Sequence, residues 1–241
     1  MNSPAHPEIP VEERLIFALD VPDTEQARSL VEQLGDSVRF YKIGLELFMA
    51  DGFFEFLDWL LARELKVFVD LKFFDIPATV AAAVRQLSRR GAHLCTVHGN
   101  QAIMEAAAAE RAGSLKVLAV TALTSLDRGD LEDLGFQCDV ESLVVSRARR
   151  ALEAGCDGVI ASGVEAGRLR EAVGDRLLVI TPGVRPVENR ESDDQQRVVT
   201  VSDAFSNGAD HIVVGRPIRN ADDPRAAAEA IQATIREHFE Q

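Results

Sequence analysis

Val67-Phe68-Val69-Asp70-Leu71-Lys72-Phe73-Phe74-Asp75-Ile76-Pro77 joins an apolar run to three charged residues and then to a proline. The run Val67-Phe68-Val69 reads as a buried strand. Residues i and i+2 of a strand share a face, so Asp70 and Lys72 are expected side by side. Asp75 falls in the turn that follows, and Pro77 suits the first turn of a helix. Charge placed at the end of a buried strand is costly unless paired. Taken alone, an Asp-x-Lys-x-x-Asp spacing is a weak motif, and a structural ion pair beside a helix start explains it better than chemistry does.

The same strand, turn and helix order extends in both directions from this stretch. Upstream, Leu15–Leu19 is a strand ending at Asp20, and Asp23 with Gln26 has the spacing of a capping box for a helix to Leu34. Phe40–Ile43 is a second strand with Lys42 near its end, and the apolar segment from Leu45 to Glu64 reads as one helix. Downstream, Ala78–Arg90 is a helix with Val80, Val84 and Leu87 on one face and Gly91 as its stop. Strands follow at Leu94–Val97, Val117–Val120, Gly158–Ala161, Leu177–Ile180 and His211–Val214. An alanine-rich helix runs to about Gly113, a long polar connection reaches about Val140, and helices cover Glu141–Ala154, Ser202–Asn207 and the segment after Asp223-Pro224. The segment Val187–Arg197 is polar and aperiodic and reads as a mobile loop.

Eight strands alternating with helices predict α/β architecture, closed as a (β/α)8 TIM barrel in a single domain over residues 14–241. Residues 1–13, with three prolines, read as a flexible lead-in. An open doubly wound sheet would show a glycine-rich turn after its first strand, and Leu19-Asp20-Val21-Pro22 is not one.

Composition narrows the partners. The chain has 241 residues, 46% of them hydrophobic, and a net charge of −13. That sign argues against nucleic acid and against an anionic membrane surface, so an anionic ligand needs a local site. Cys95, Cys138 and Cys156 are scattered and odd in number, which predicts reduced thiols in a cytoplasmic protein. Cys and His show no metal-ligand spacing, and no apolar run approaches membrane-spanning length.

In a barrel of this class the chemistry lies where the strands end. Those ends carry Asp20, Lys42, Asp70, Lys72, His98, Thr124, Arg185 and Arg216. Gly215-Arg216, with Arg185, suits a phosphate: glycine opens the backbone to an anion and arginine adds charge-assisted hydrogen bonds. Arg185 could equally pair with Glu188 or Glu191 at the surface, and His98 reads best as a structural histidine bonded to a loop carbonyl.

Several segments resemble one family in order and wording: Ala18-Leu19-Asp20, Tyr41-Lys42-Ile43-Gly44, Val69 to Pro77, Val120 to Ser125, Thr181 to Pro186, Asp194-Gln195 and Val214 to Pro217. The chain resembles the bacterial orotidine 5′-phosphate decarboxylases from about Leu15 to Glu237. Phe74 stands where that family more often has histidine, and Ala78 where it has asparagine. The resemblance implies cofactor-free decarboxylation of orotidylate to uridylate in pyrimidine biosynthesis. It implies that Lys72 protonates C6 and that Asp70 keeps Lys72 charged and aimed. It implies a homodimer in which Asp75 and Thr79 act in the neighbouring subunit's site. Asp20 and Lys42 would bind ribose hydroxyls, Thr124 the pyrimidine, and Arg185, Gly215 and Arg216 the phosphate. Gln195, chosen over Gln196 for its adjacency to Asp194, would bridge base and phosphate.

Two alternatives share parts of this pattern. Sugar-phosphate enzymes such as 3-keto-gulonate 6-phosphate decarboxylase or hexulose-phosphate synthase have the same Asp-x-Lys-x-x-Asp motif and use Mg²⁺. A non-catalytic nucleotide-binding homologue is the other. The Leu123-Thr124-Ser125 segment and Gln195 favour a pyrimidine ligand, and every expected charged position is filled.

Overall fold

A computed structural model describes residues 6, 8–186 and 198–240. Eight parallel strands close into a barrel in chain order: β1 (Leu15–Ala18), β2 (Phe40–Gly44), β3 (Lys66–Phe73), β4 (Leu94–Val97), β5 (Lys116–Val120), β6 (Gly158–Ile160), β7 (Leu178–Pro182) and β8 (His211–Val214). β8 pairs with β1 to complete the ring, through Ile16 with Val213 and Phe17 with Val214. The open-sheet alternative is thereby excluded.

Helices of at least two turns pack outside the barrel: α1 (Thr24–Leu34), α3 (Phe53–Leu61), α4 (Pro77–Arg90), α5 (Gln101–Ala109), α7 (Val140–Glu153), α8 (Ala166–Val173) and α11 (Pro224–Phe239). Shorter helices are α2 (Leu45–Phe48), α6 (Arg128–Asp133), α9 (Val201–Ser206) and α10 (Arg216–Arg219). Side-chain caps set several starts. Asp139 and Asp223 accept backbone N–H groups at the heads of α7 and α11. Such a cap contributes about 1 kcal/mol.

Strand alternation divides the apolar residues between two cores. Ile16, Ala18, Phe40, Phe68, Leu94, Leu118, Val120, Ile160, Leu178, Ile180 and Val213 fill the barrel interior. Their strand neighbours, such as Phe17, Tyr41, Val67, Val69, Cys95 and Val117, pack outward against the helices. Filling a barrel from alternate strand positions gives a packed core and leaves ligand space only above it.

Some elements depart from expectation. The segment 45–64 is two helices, broken at Gly52, whose φ of 78° is left-handed. Most of its apolar surface goes into the core, through Phe53, Phe56, Leu57 and Leu60, while Leu45, Phe48, Met49 and Phe54 remain exposed. Asp23 accepts the Gln26 backbone N–H at 2.8 Å, but the Gln26 side chain donates back to the Asp23 carboxylate at 2.7 Å. The cap therefore closes on itself, without the reciprocal bond of a capping box. The polar connection before residue 140 contains α6, started by a true capping box of Asp127 and Asp130.

Within the expected flexible lead-in, residues 8–13 take up structure. Val11–Glu13 is a turn of 3-10 helix, Ile9 packs on the barrel-interior core, and Glu13 pairs with Lys66. The segment Val187–Arg197 lies outside the described residues, and no helix among those described is long and apolar enough to cross a membrane.

Candidate active site

The alternation that fills the barrel with hydrocarbon continues upward into charge. Asp20 stands two residues beyond Ala18, Lys42 two beyond Phe40, and Asp70 two beyond Phe68. Each side chain thus inherits the inward direction of the apolar residue beneath it. They meet in an alternating chain. Lys42 Nζ donates to Asp20 Oδ1 at 2.9 Å and stands 3.6 Å from Asp70 Oδ2, and Lys72 Nζ donates to Asp70 Oδ1 at 2.9 Å.

Burial and pairing oppose one another here. For Lys42, desolvation pushes the ammonium pKa down, but Asp70 and Asp20 outweigh it and the net direction is upward. For Asp70, desolvation pushes up, and Lys42, Lys72 and the Thr96 hydroxyl reverse it, so the carboxylate is held below its ordinary range. Both groups stay charged at neutral pH. Removing one member would strand its buried partner, a loss of about 3–5 kcal/mol for pairs of this kind.

β3 is irregular where it carries these groups. Its pairing with β4 runs from Val69–Cys95 to Phe73–Val97, so residues between them break the ladder. Lys72 has φ 47°, in the left-handed region. A side-chain-bearing residue there costs about 1–3 kcal/mol and persists only where its surroundings impose it. Thr96, wholly buried on β4, supplies the contacts: its Oγ1 donates to Asp70 Oδ1 at 2.8 Å and accepts the Lys72 N–H at 2.9 Å.

A cavity of about 560 Å³ opens over this chain. Asp20, Lys42, Asp70 and Lys72 line it from β1–β3, Leu123, Thr124 and Ser125 from the loop after β5, and Arg185, Gly215 and Arg216 from the ends of β7 and β8. Its volume suits a ligand of nucleotide size. Carboxylates and ammoniums alternate on one side, neutral hydroxyls stand on another, and arginines on a third. No cluster of three or more His, Cys, Asp or Glu side chains placed to hold a metal ion occurs among the described residues.

Of the residues singled out in the sequence, Asp75 and Thr79 are exposed and do not line this cavity. Asp75 Oδ1 accepts the Ile76 N–H at 2.6 Å at the head of α4. Gln195 lies outside the described residues, as do Glu188 and Glu191. His98 is half-buried, with its ring edge-on to Phe74 at 5.5 Å. Burial, Arg147 and Lys72 push its pKa down.

From the sequence Thr96 and Arg219 carry no assigned role, and Gly44 stands only within a resembling segment. A Cβ at Gly44 would lie 3.2 Å from Lys42 Nζ and 3.5 Å from Asp20 Oδ1, so the glycine leaves room for that ion pair. Arg219 donates to the main-chain oxygen of Asp20 and ties α10 to the end of β1. Thr96 carried a signal: it is the polar residue two beyond Leu94 on an otherwise apolar inward face. Arg219 lies beyond its strand end and carried none.

Comparison with known proteins matches residues 13–231 to the model of the Orotidine 5′-phosphate decarboxylase / HUMPS family. The chain belongs to this family. It is similar to the orotidine 5′-phosphate decarboxylase of Methylococcus capsulatus, with 65% identity over 231 residues covering 96% of this chain and 95% of that protein. The enzyme of the same name from Xanthomonas campestris pv. campestris is 54% identical over 237 residues, 98% of this chain and 97% of the other. Among solved structures, the orotidine 5′-phosphate decarboxylase of Lactobacillus acidophilus superposes with a TM-score of 0.81 at 35% identity, covering 95% of this chain and all of that one. The closed barrel is thus that of an Orotidine 5′-phosphate decarboxylase / HUMPS family member.

Proposed function

We propose that this family member decarboxylates orotidine 5′-monophosphate to uridine 5′-monophosphate, the last step in making uridylate, as a carboxy-lyase acting in the cytoplasm. Its full-length identity to proteins named orotidine 5′-phosphate decarboxylase supports this activity over that of the sugar-phosphate enzymes. The observation that carries the chemistry is the chain Asp20–Lys42–Asp70–Lys72, ending on an ammonium at the cavity.

Breaking the bond between C6 and the carboxylate leaves its electron pair on C6, in an sp² orbital that the pyrimidine ring does not delocalise. Fixed positive charge is then the available stabiliser, and it works best where water is excluded and no reorganisation is needed. Lys72 stands beside that carbon, stabilises the developing charge and delivers a proton to C6 as CO₂ departs. The resulting amine regains its proton from solvent. Asp70 keeps Lys72 protonated and aimed. Asp20 and Lys42 bind the ribose hydroxyls, and Thr124 hydrogen-bonds the pyrimidine. Arg185, Gly215 and Arg216 take the phosphate, which lets binding energy remote from C6 act on the reacting centre. Gln195 is assigned to base and phosphate on resemblance alone. No step calls for a cofactor.

Asp75 and Thr79 are assigned to the site of a second copy, within a homodimer of single-domain subunits. Their exposure supports this, because a residue meant for its own cavity would face it. Asp75 also lies between Phe74 and Ile76, which are 69% and 66% exposed. Two large apolar side chains flanking a carboxylate suit a surface that another copy covers.

The deciding measurement is orotidylate consumption by the purified protein with EDTA present. Turnover is expected to be undiminished by the chelator. A protein that ignores orotidylate and needs added Mg²⁺ for a sugar phosphate would overturn the assignment.

A further inference from the structure

We propose that Thr96 is a positioning residue for this reaction: its one hydroxyl ties the Asp70 carboxylate to the Lys72 main chain and so sets where the Lys72 ammonium stands. The inference rests on the reading of Lys72 as proton donor, and it concerns a residue that touches no substrate, since Thr96 does not line the cavity.

A hydroxyl has one proton to donate and lone pairs to accept with. Thr96 Oγ1 accepts the Lys72 N–H at 2.9 Å and donates to Asp70 Oδ1 at 2.8 Å. The rotor is therefore fixed, with its O–H directed at the carboxylate. Asp70 Oδ1 also accepts from Lys72 Nζ at 2.9 Å. Lys72 is thus held twice through the same oxygen: at its tip by the carboxylate, and at its main chain by the hydroxyl that holds that carboxylate.

The broken ladder gives this bridge its importance. Between Val69 and Phe73 the regular β3–β4 pairing lapses, and the Lys72 N–H finds the Thr96 side chain in place of a strand carbonyl. Without that acceptor, the Lys72 N–H loses its partner at a residue whose φ of 47° is already unfavourable. A return to extended backbone would swing the side chain and move the ammonium relative to C6. Asp70 is faced by Lys42 from β2, by Lys72 on its own strand and by Thr96 from β4, with Asp20, just beyond β1, reaching it through Lys42. Of these, only Thr96 contacts both Asp70 and the Lys72 backbone.

The test is the series Thr96→Ser, Thr96→Cys and Thr96→Val, which grades the donor from hydroxyl to thiol to none. For orotidylate, kcat should fall in that order. Valine, close to threonine in shape, should lose about 10- to 100-fold, the scale expected when a reacting group is misplaced by an ångström or less. KM should change much less, because the binding groups are untouched, and serine should retain most of the rate. In parallel, ¹³C NMR of the labelled Asp70 carboxyl should show its titration moving to higher pH in Thr96→Val and staying in place in Thr96→Ser. Equal kcat and equal carboxyl titration across the series would overturn the proposal, as would a serine variant as slow as valine. If Thr96→Val does not fold, equality of the serine and cysteine variants overturns it. Should the wild-type protein not consume orotidylate, the functional reading falls, while the Asp70 titration still decides whether the hydroxyl holds the carboxylate.

Discussion

Lys72 combines a left-handed backbone with a charged side chain half out of solvent, and the two have separable consequences. Its φ is 47°, where glycine is at ease and lysine is not. Lys72→Ala and Lys72→Gly both remove the ammonium, so both should lower kcat for orotidylate by about 10³-fold or more, given what positioned proton donors contribute. Uridylate should still bind to each. Their stabilities should differ. Alanine keeps the left-handed penalty of roughly 1–2 kcal/mol. Glycine escapes it but loses about 0.4–1 kcal/mol through a freer unfolded chain. Strain wins, so Lys72→Gly should unfold at higher urea than Lys72→Ala by about 0.5–1 kcal/mol. Equal midpoints would mean the backbone is not strained. The sequence shows Asp70 and Lys72 as neighbours by simple alternation. They are neighbours, but through an interrupted strand whose dihedrals no spacing rule encodes.

At the level of the strand, one small residue controls how the barrel fills. Gly158 lies on β6 in register with Leu118 of β5 and Leu178 of β7. A Cβ there would come within 2.6 Å of the Leu178 carbonyl oxygen and 2.8 Å of a Leu118 methyl. The carbonyl belongs to the sheet and cannot step aside. Gly158→Ala should therefore destabilise by about 1–3 kcal/mol, the usual result of overpacking a closed core. Urea unfolding would measure it, and an unchanged midpoint would show that the barrel relaxes at that point. Strands β4 and β8 were legible to the residue, because short apolar runs between turn signals leave few other readings. The break at Met49–Gly52 was not, since an apolar residue in a short helix and one in a long helix look alike in sequence. Helix α6 was hidden for the opposite reason: six residues with a single buried side chain, Leu131, carry no periodicity to detect.

For the whole molecule, the separation of Asp75 and Thr79 from the cavity is the main consequence of the fold. If two copies share their sites, an Asp75→Ala chain and a Lys72→Ala chain should each be inactive alone. Mixed after subunit exchange, they should recover activity, because half of the sites in a hybrid dimer carry neither substitution and a random mixture is half hybrid. About a quarter of the wild-type rate is the ceiling, by simple mass action on exchanging subunits. Verified exchange with no recovery would mean that Asp75 does not serve a partner. The sequence by itself determined the eight-fold alternation and the place of Asp20, Lys42 and Asp70 at strand ends, because a period of two along each strand and a period of one βα unit along the chain are written in residue order, and it showed the family through the wording of its resembling segments. Tertiary structure alone decided that Thr96 joins the charged chain, that Gly44 makes room for it, and that Lys72 leaves the strand's regular path. Those outcomes depend on which atoms meet across neighbouring strands once the ring closes, and a linear pattern carries the direction of each side chain but not its distance to the next.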